Sequence, residues 1–232
     1  MTNKKETQDG CIRIYGMTLQ EALRIDREMM RECMPGRLEK ADRIRPENGR
    51  GLSIAAGWLM LSVLGLKNEN ELKYTEKGKP YAPGYPLFNL SHSQEMAVMA
   101  VLENGSRHPA ADTEGGIWLI SEGIPVRDIS TLGVDAEQIR ERNYNVIRRA
   151  FTENEQAWLE EASGREDKMK RFMQIWTLKE AVMKADGRGL GMDPASFDVL
   201  DLKDGLALVT DGRMWQALSL EHEGYMISVC WG

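Results

Sequence analysis

Cysteine is scarce in this chain. There are three in 232 residues, Cys11, Cys33 and Cys230, odd in number and far apart. They form neither a zinc-ligand spacing nor a disulfide framework, so a reducing, cytoplasmic setting is expected. Long apolar runs are also lacking. The longest, residues 54–66, is interrupted by Ser62 and falls short of the ~20 residues a membrane helix needs. The first ten residues are polar and carry no apolar signal core, so no membrane partner is expected. A basic surplus is missing as well. The formal net charge is −6, which disfavours a general nucleic-acid binder. No internal repeat is visible.

What is present is ordinary globular material, 42% hydrophobic and 28% charged. At this length one domain or two half-size ones are both open. Thr18 with Glu21 has the spacing of a capping box, and the spacing of Leu19, Leu23, Met29 and Met30 extends the predicted helix over residues 18–33. A basic stretch holding Arg37, Lys40, Arg43, Arg45 and Arg50 is broken by Pro35, Gly36, Pro46 and Gly49 and reads as loop. A second helix is predicted over residues 52–64, and residues 78–93, rich in proline and glycine, read as loop. A buried strand is expected over residues 96–102. Residues 103–116 are polar and aperiodic, the best linker or insertion in the chain. Residues 132–137 read as a strand end.

Helices are predicted over residues 139–150, from Thr152 to about residue 162, and over residues 168–185. The second opens with another capping box, Thr152 with Glu155. Short strands are expected at 197–200, 206–209, 215–220 and 225–231. Helices mixed with strands at hairpin spacing indicate an α+β fold with antiparallel sheets.

Several side chains have chemistry to offer. Asp135 and Glu137, two apart in a strand, share a face. They are either exposed strand-end acids or two ligands of a hard cation such as Mg²⁺, which takes carboxylates together with substrate phosphates. Glu180 and Lys184 lie four apart on a helix. Such a pair is either a solvated ion pair contributing about 0.3 kcal/mol or a third metal carboxylate beside a phosphate-neutralising lysine. His92, flanked by Ser91 and Ser93, either donates to phosphate or bonds to nearby backbone. Lys79 and the basic stretch 37–50 are either solvated or grip an anion. Glu155 is either a helix cap or a general base.

Taken in order, GKPY (78–81), FNLSHS (88–93), GVDAE (133–137), FTENE (151–155) and WTLKEAVMK (176–184) with GRGL (187–190) resemble the 4′-phosphopantetheinyl transferase superfamily. The length resembles its larger, surfactin-type branch. The resemblance implies two similar α+β halves about a pseudo-twofold axis, divided near 1–110 and 111–232. The active site would lie between them. It implies transfer of the 4′-phosphopantetheine arm of coenzyme A to a serine of an apo carrier protein, releasing adenosine 3′,5′-bisphosphate. It also implies Mg²⁺ on Asp135, Glu137 and Glu180, with Lys184 and Glu155 catalytic. The coenzyme A contacts would be Arg37, Lys40, Arg50, Lys79, Pro80, Ser91, His92 and Lys184. A monomer is expected. Ala136 stands where the family commonly has Ile or Val, and residues 103–130 are longer than its usual hairpin. A non-catalytic coenzyme A or carrier-binding module, and a Mg²⁺-dependent phosphohydrolase, are the competing classes.

Overall fold

The computed structural model describes residues 8–103, 116–141 and 148–232. The chain divides into two compact units, one running up to Asp128 and the other from Ile129 to Gly232.

In the first unit β1 (Gln8–Thr18) leads into α1 (Leu19–Ala22), α2 (Arg27–Cys33), α3 (Pro35–Asp42) and α4 (Glu47–Leu64). The Thr18–Glu21 capping box forms as its spacing predicts, but the expected single helix is two, separated by a turn whose Asp26 caps α2. The basic stretch is largely helical rather than loop: Arg37 and Lys40 lie on α3 and Arg50 on α4, with Arg43 and Arg45 in the connection between them. Pro35 begins α3, where a missing N–H costs nothing, and Pro46 precedes α4. The glycines of α4 are contact points: a Cβ on Gly51 would fall 2.1 Å from Leu19.

Two short strands, β2 (Lys73–Tyr74) and β3 (Pro80–Tyr81), pair with each other. Next come β4 (Phe88–Ser93), β5 (Met96–Glu103) and β6 (Trp118–Ile129), giving the sheet order β4-β5-β1-β6. FNLSHS is therefore a strand, not the loop expected of it. It pairs with β5 from Phe88↔Val101 to Ser93↔Met96. The apolar residues of α4 and one face of this sheet make the unit's core, including Met30, Leu59, Met60 and Met99.

The second unit holds β7 (Leu132–Gln138), α5 (Glu153–Glu160), α6 (Arg165–Asp186), α7 (Leu200–Lys203), β8 (Leu208–Thr210), β9 (Arg213–His222) and β10 (Tyr225–Trp231). Its sheet order is β7-β10-β9-β8. The helix expected over residues 139–150 falls largely outside the described residues. Its described ends are irregular at 139–141 and a 3₁₀ turn at Arg148–Ala150. Residues 197–200 are not a strand: Phe197 follows a 3₁₀ turn and Leu200 opens α7. The hairpins close through Asp211-Gly212 and Glu223-Gly224, each with positive φ at both residues, as a tight twisted hairpin requires.

Each unit thus places its first strand beside the last strand of its closing hairpin, β1 on β5 and β7 on β10, with a long helix on one face. The fold is α+β with antiparallel sheets.

Candidate active site

The second unit carries the acids. In β7, Asp135 pairs with Ser228 and Glu137 with Met226 on β10, so both acids point to the side of the sheet covered by α6. Gly133 sets how closely that helix lies. A Cβ there would stand 2.1 Å from the Ala181 carbonyl oxygen and 2.5 Å from the Ala185 nitrogen. The glycine of GVDAE lets strand and helix backbones touch. Thr177 Oγ1 on the helix lies 2.7 Å from Ser228 Oγ, which lies 2.8 Å from Ser219 Oγ on β9.

This contact brings Glu180 and Lys184, one helical turn apart, over the two strand acids. Lys184 Nζ donates to Asp135 Oδ1 at 2.7 Å and to the Val134 carbonyl at 3.1 Å. Asp135 is buried, at 5% exposure. The Glu180 carboxyl is held above its ordinary value, first by burial, then by the charge on Asp135, with Glu137 adding to it and Lys184 opposing. Asp135, Glu137, Glu180 and Lys184 therefore share one electrostatic centre. Their oxygens are hard donors suited to Mg²⁺. With the lysine seated on Asp135, no three His, Cys, Asp or Glu side chains among the described residues are grouped to hold an ion.

Glu155 lies apart from these groups, at 0% exposure. Its Oε2 accepts from the Thr152 N–H at 2.8 Å and pairs with Lys179 Nζ at 2.9 Å, and its Oε1 accepts from the Val199 N–H at 2.8 Å. The capping box is complete. Burial pushes the Glu155 carboxyl up and the Lys179 ammonium down, and each resists the other's shift. Lys179 escapes sequence reasoning that stops at motif spacing. The available signal was its position on the same side of the helix as Phe172, Ile175, Val182 and Met183. A lysine in an apolar stripe announces a buried partner.

Apart from Lys184, the residues expected to hold coenzyme A lie in the first unit. Arg37 is half-buried on α3, its stem against Gly57 of α4, while Lys40 and Arg50 are exposed on α3 and α4. Lys79 and Pro80 are half-buried at the β2–β3 turn, where the Lys79 N–H bonds Thr75 Oγ1 at 3.1 Å. Ser91 is buried and His92 exposed, because neighbours on β4 point to opposite faces. A loop would have let both reach one ligand; the strand separates them.

An α+β chain with strand acids under a helical Glu-x₃-Lys pair defines a class, and comparison with known proteins gives the same one. A model of the 4′-phosphopantetheinyl transferase superfamily matches residues 131–230, and the chain belongs to that superfamily. It is 30% identical to the 4′-phosphopantetheinyl transferase HetI of Nostoc over 76% of this chain and 70% of HetI. It is 24% identical to the transferase Sfp of Bacillus subtilis over 84% of this chain and 79% of Sfp. Against the transferase gsp of Aneurinibacillus migulanus it is 31% identical over 60% of its length, and it spans about half of that relative, 47%. A solved holo-(acyl-carrier-protein) synthase from Bacillus anthracis, in complex with CoA, overlays 44% of this chain and 95% of its own at TM-score 0.35 and 14% identity, too loosely to place any residue. Among the described residues no helix is long and apolar enough to cross a membrane.

Proposed function

We propose that this chain transfers the 4′-phosphopantetheine arm of coenzyme A to a serine of an apo carrier protein, with Asp135, Glu137, Glu180 and Lys184 as its charged centre. The observation that carries the reading is the Lys184 ammonium 2.7 Å from Asp135, with Glu180 facing Asp135, Lys184 and Glu137 together. In this reaction the serine hydroxyl oxygen attacks phosphorus and gives up its proton to water, the bridging P–O bond breaks, and adenosine 3′,5′-bisphosphate leaves with the bridging oxygen. Charge then builds on phosphate oxygens. An ammonium already placed at the phosphates stabilises that charge without rearranging during the step, and the carboxylates contribute by holding a cation rather than by meeting the phosphates themselves. Bound at Asp135, Glu137 and Glu180, Mg²⁺ would supply a further positive charge for those oxygens. With Mg²⁺ on those carboxylates, Lys184 would turn from Asp135 to the pyrophosphate before the step, since both cations compete for the same carboxylate.

Arg37, Lys40, Arg50, Lys79 and Pro80 are assigned to the nucleotide and its phosphates, with Ser91 or His92 according to which face of β4 the ligand meets. Glu155 enters as support for the helix rather than as base: all its named contacts are N–H groups, and it has no exposed surface.

The test is to incubate the protein with coenzyme A, Mg²⁺ and apo carriers and weigh the intact carriers. Carriers should gain one phosphopantetheine arm, and Asp135→Asn should abolish the gain while the chain stays folded. Coenzyme A cleaved without a carrier would indicate a phosphohydrolase instead.

A further inference from the structure

One fully buried charge of the second unit, inside WTLKEAVMK, has no assigned role in the reaction. Lys179 has 0% exposure, and each of its three ammonium protons has an acceptor. Nζ donates to Pro194 O and Phe197 O, both at 2.6 Å, and pairs with Glu155 Oε2 at 2.9 Å. The Phe197 ring covers the ammonium, 4.6 Å from its centroid. Glu155 ties the same segment from its other side through the Val199 N–H, while Thr152 Oγ1 donates to Asp198 Oδ2 at 2.7 Å. The pair therefore binds three pieces of chain: the start of α5, the middle of α6, and the turn from Asp193 to Val199.

Lys179 immediately precedes Glu180. On α6, Thr177 and Ala181 face β7 and β10, held by the Thr177–Ser228 bond and by the approach at Gly133. Successive helical positions are about 100° apart, so Lys179 leaves the helix roughly opposite Thr177. The sheet grips one side of α6 and the Lys179–Glu155 pair grips the other. Two opposed grips fix the rotation of a helix about its own axis, and that rotation aims Glu180 and Lys184.

We propose that Lys179 and Glu155 are a positioning pair, which clamps α6 to the 193–199 segment and so aims Glu180 and Lys184 at Asp135 and Glu137. The inference rests on the assignment of those four residues to the reaction. It predicts that the pair acts as a unit. Removing one partner strands the other as a buried, uncompensated charge, whereas removing both charges restores balance. A general base behaves differently: its loss costs about 10²- to 10⁴-fold in rate whatever its neighbour becomes.

The experiment compares Lys179→Met, Glu155→Gln and the double variant, reading Tm together with kcat and KM for coenzyme A, with kcat corrected for folded fraction. We expect each single variant to lower kcat by about tenfold or more with little change in KM, and the double variant to lose no more kcat than the worse single, because either change already opens the clamp, while its Tm exceeds that of either single because no charge is stranded. Losses that multiply in the double variant would overturn the proposal. So would a Lys179→Met variant that keeps wild-type kcat, which beside a slow Glu155→Gln would return Glu155 to the chemistry. If the single variants do not fold, the double decides alone: a loss of kcat with an unchanged pH–rate profile supports the clamp, and wild-type kcat or loss of the profile's acid limb overturns it. Asp135→Asn, run alongside, separates this outcome from failure of the site assignment, because full transfer by that variant removes the four-residue centre itself.

Discussion

Glu180 keeps its proton more tightly than an ordinary carboxyl because it is buried and faces Asp135. The folded protein therefore binds this proton better than the unfolded chain does. Its contribution to stability is fully present below the ordinary carboxylate value and is lost as pH rises through the raised one. Above that raised value, the ionised Glu180 strains the fold that needs it for function, as active-site charges commonly do. Glu180→Gln removes the ionisation but keeps the shape. We expect the Tm of this variant to gain on that of the wild type as pH is raised from 4 to 8, while transfer is abolished. Parallel melting curves across that range, with no widening gap, would show that Glu180 is not held up as described. That Asp135 shares a face with Glu137, and Glu180 with Lys184, is legible in the sequence because i,i+2 in a strand and i,i+4 in a helix are local facts; that the two pairs meet is not, and came only from the family resemblance. Lys179 is not legible either, because its partners Glu155, Pro194 and Phe197 are distant in sequence and only the fold brings them to it.

The elements divide the same way. Both capping boxes, at Thr18 and Thr152, were readable because they are closed within four residues. β4 was missed because proline and glycine crowd the stretch before it, while the pairing that makes it a strand comes from β5. α3 and the first turn of α4 run against the reading of Pro35 and Pro46 as breaks, because both lie where a proline starts a helix. Gly133 belongs to this scale, since it sets the distance between β7 and α6. Gly133→Ala places a methyl against helix backbone, which cannot rotate away as a side chain can. We expect a loss of about 2–3 kcal/mol in urea unfolding, at the upper end of overpacking costs. Transfer should fall too, because the displaced helix carries Glu180 and Lys184. Gly187→Ala is the control. It meets nothing within 4 Å and bears only the cost of a positive φ at the helix end, about 1 kcal/mol. Equal stability of the two variants would remove the close-contact argument.

At the scale of the whole molecule, the two units divide the proposed work. The acids and Lys184 all lie beyond Ile129, and the residues assigned to the nucleotide, apart from Lys184, lie before Asp128. Each unit has its own core and sheet, so ligands that engage one unit should protect that unit's amides first. Hydrogen exchange resolves this by peptide. Mg²⁺ alone should slow exchange in Leu132–Gln138 and in Arg165–Asp186 and leave Phe88–Ser93 unchanged. Coenzyme A added with Mg²⁺ should extend protection to Phe88–Ser93, to Pro80–Tyr81 and to Pro35–Asp42. At a ligand concentration of ~100 Kd the stabilisation is about 2.7 kcal/mol, and amides that exchange only by opening the bound unit should slow by about 10²-fold. Protection from Mg²⁺ that never reaches β7 would remove the metal from Asp135 and Glu137. Protection from coenzyme A confined to residues beyond Ile129 would take the nucleotide contacts away from the first unit and leave its basic residues as a solvated face.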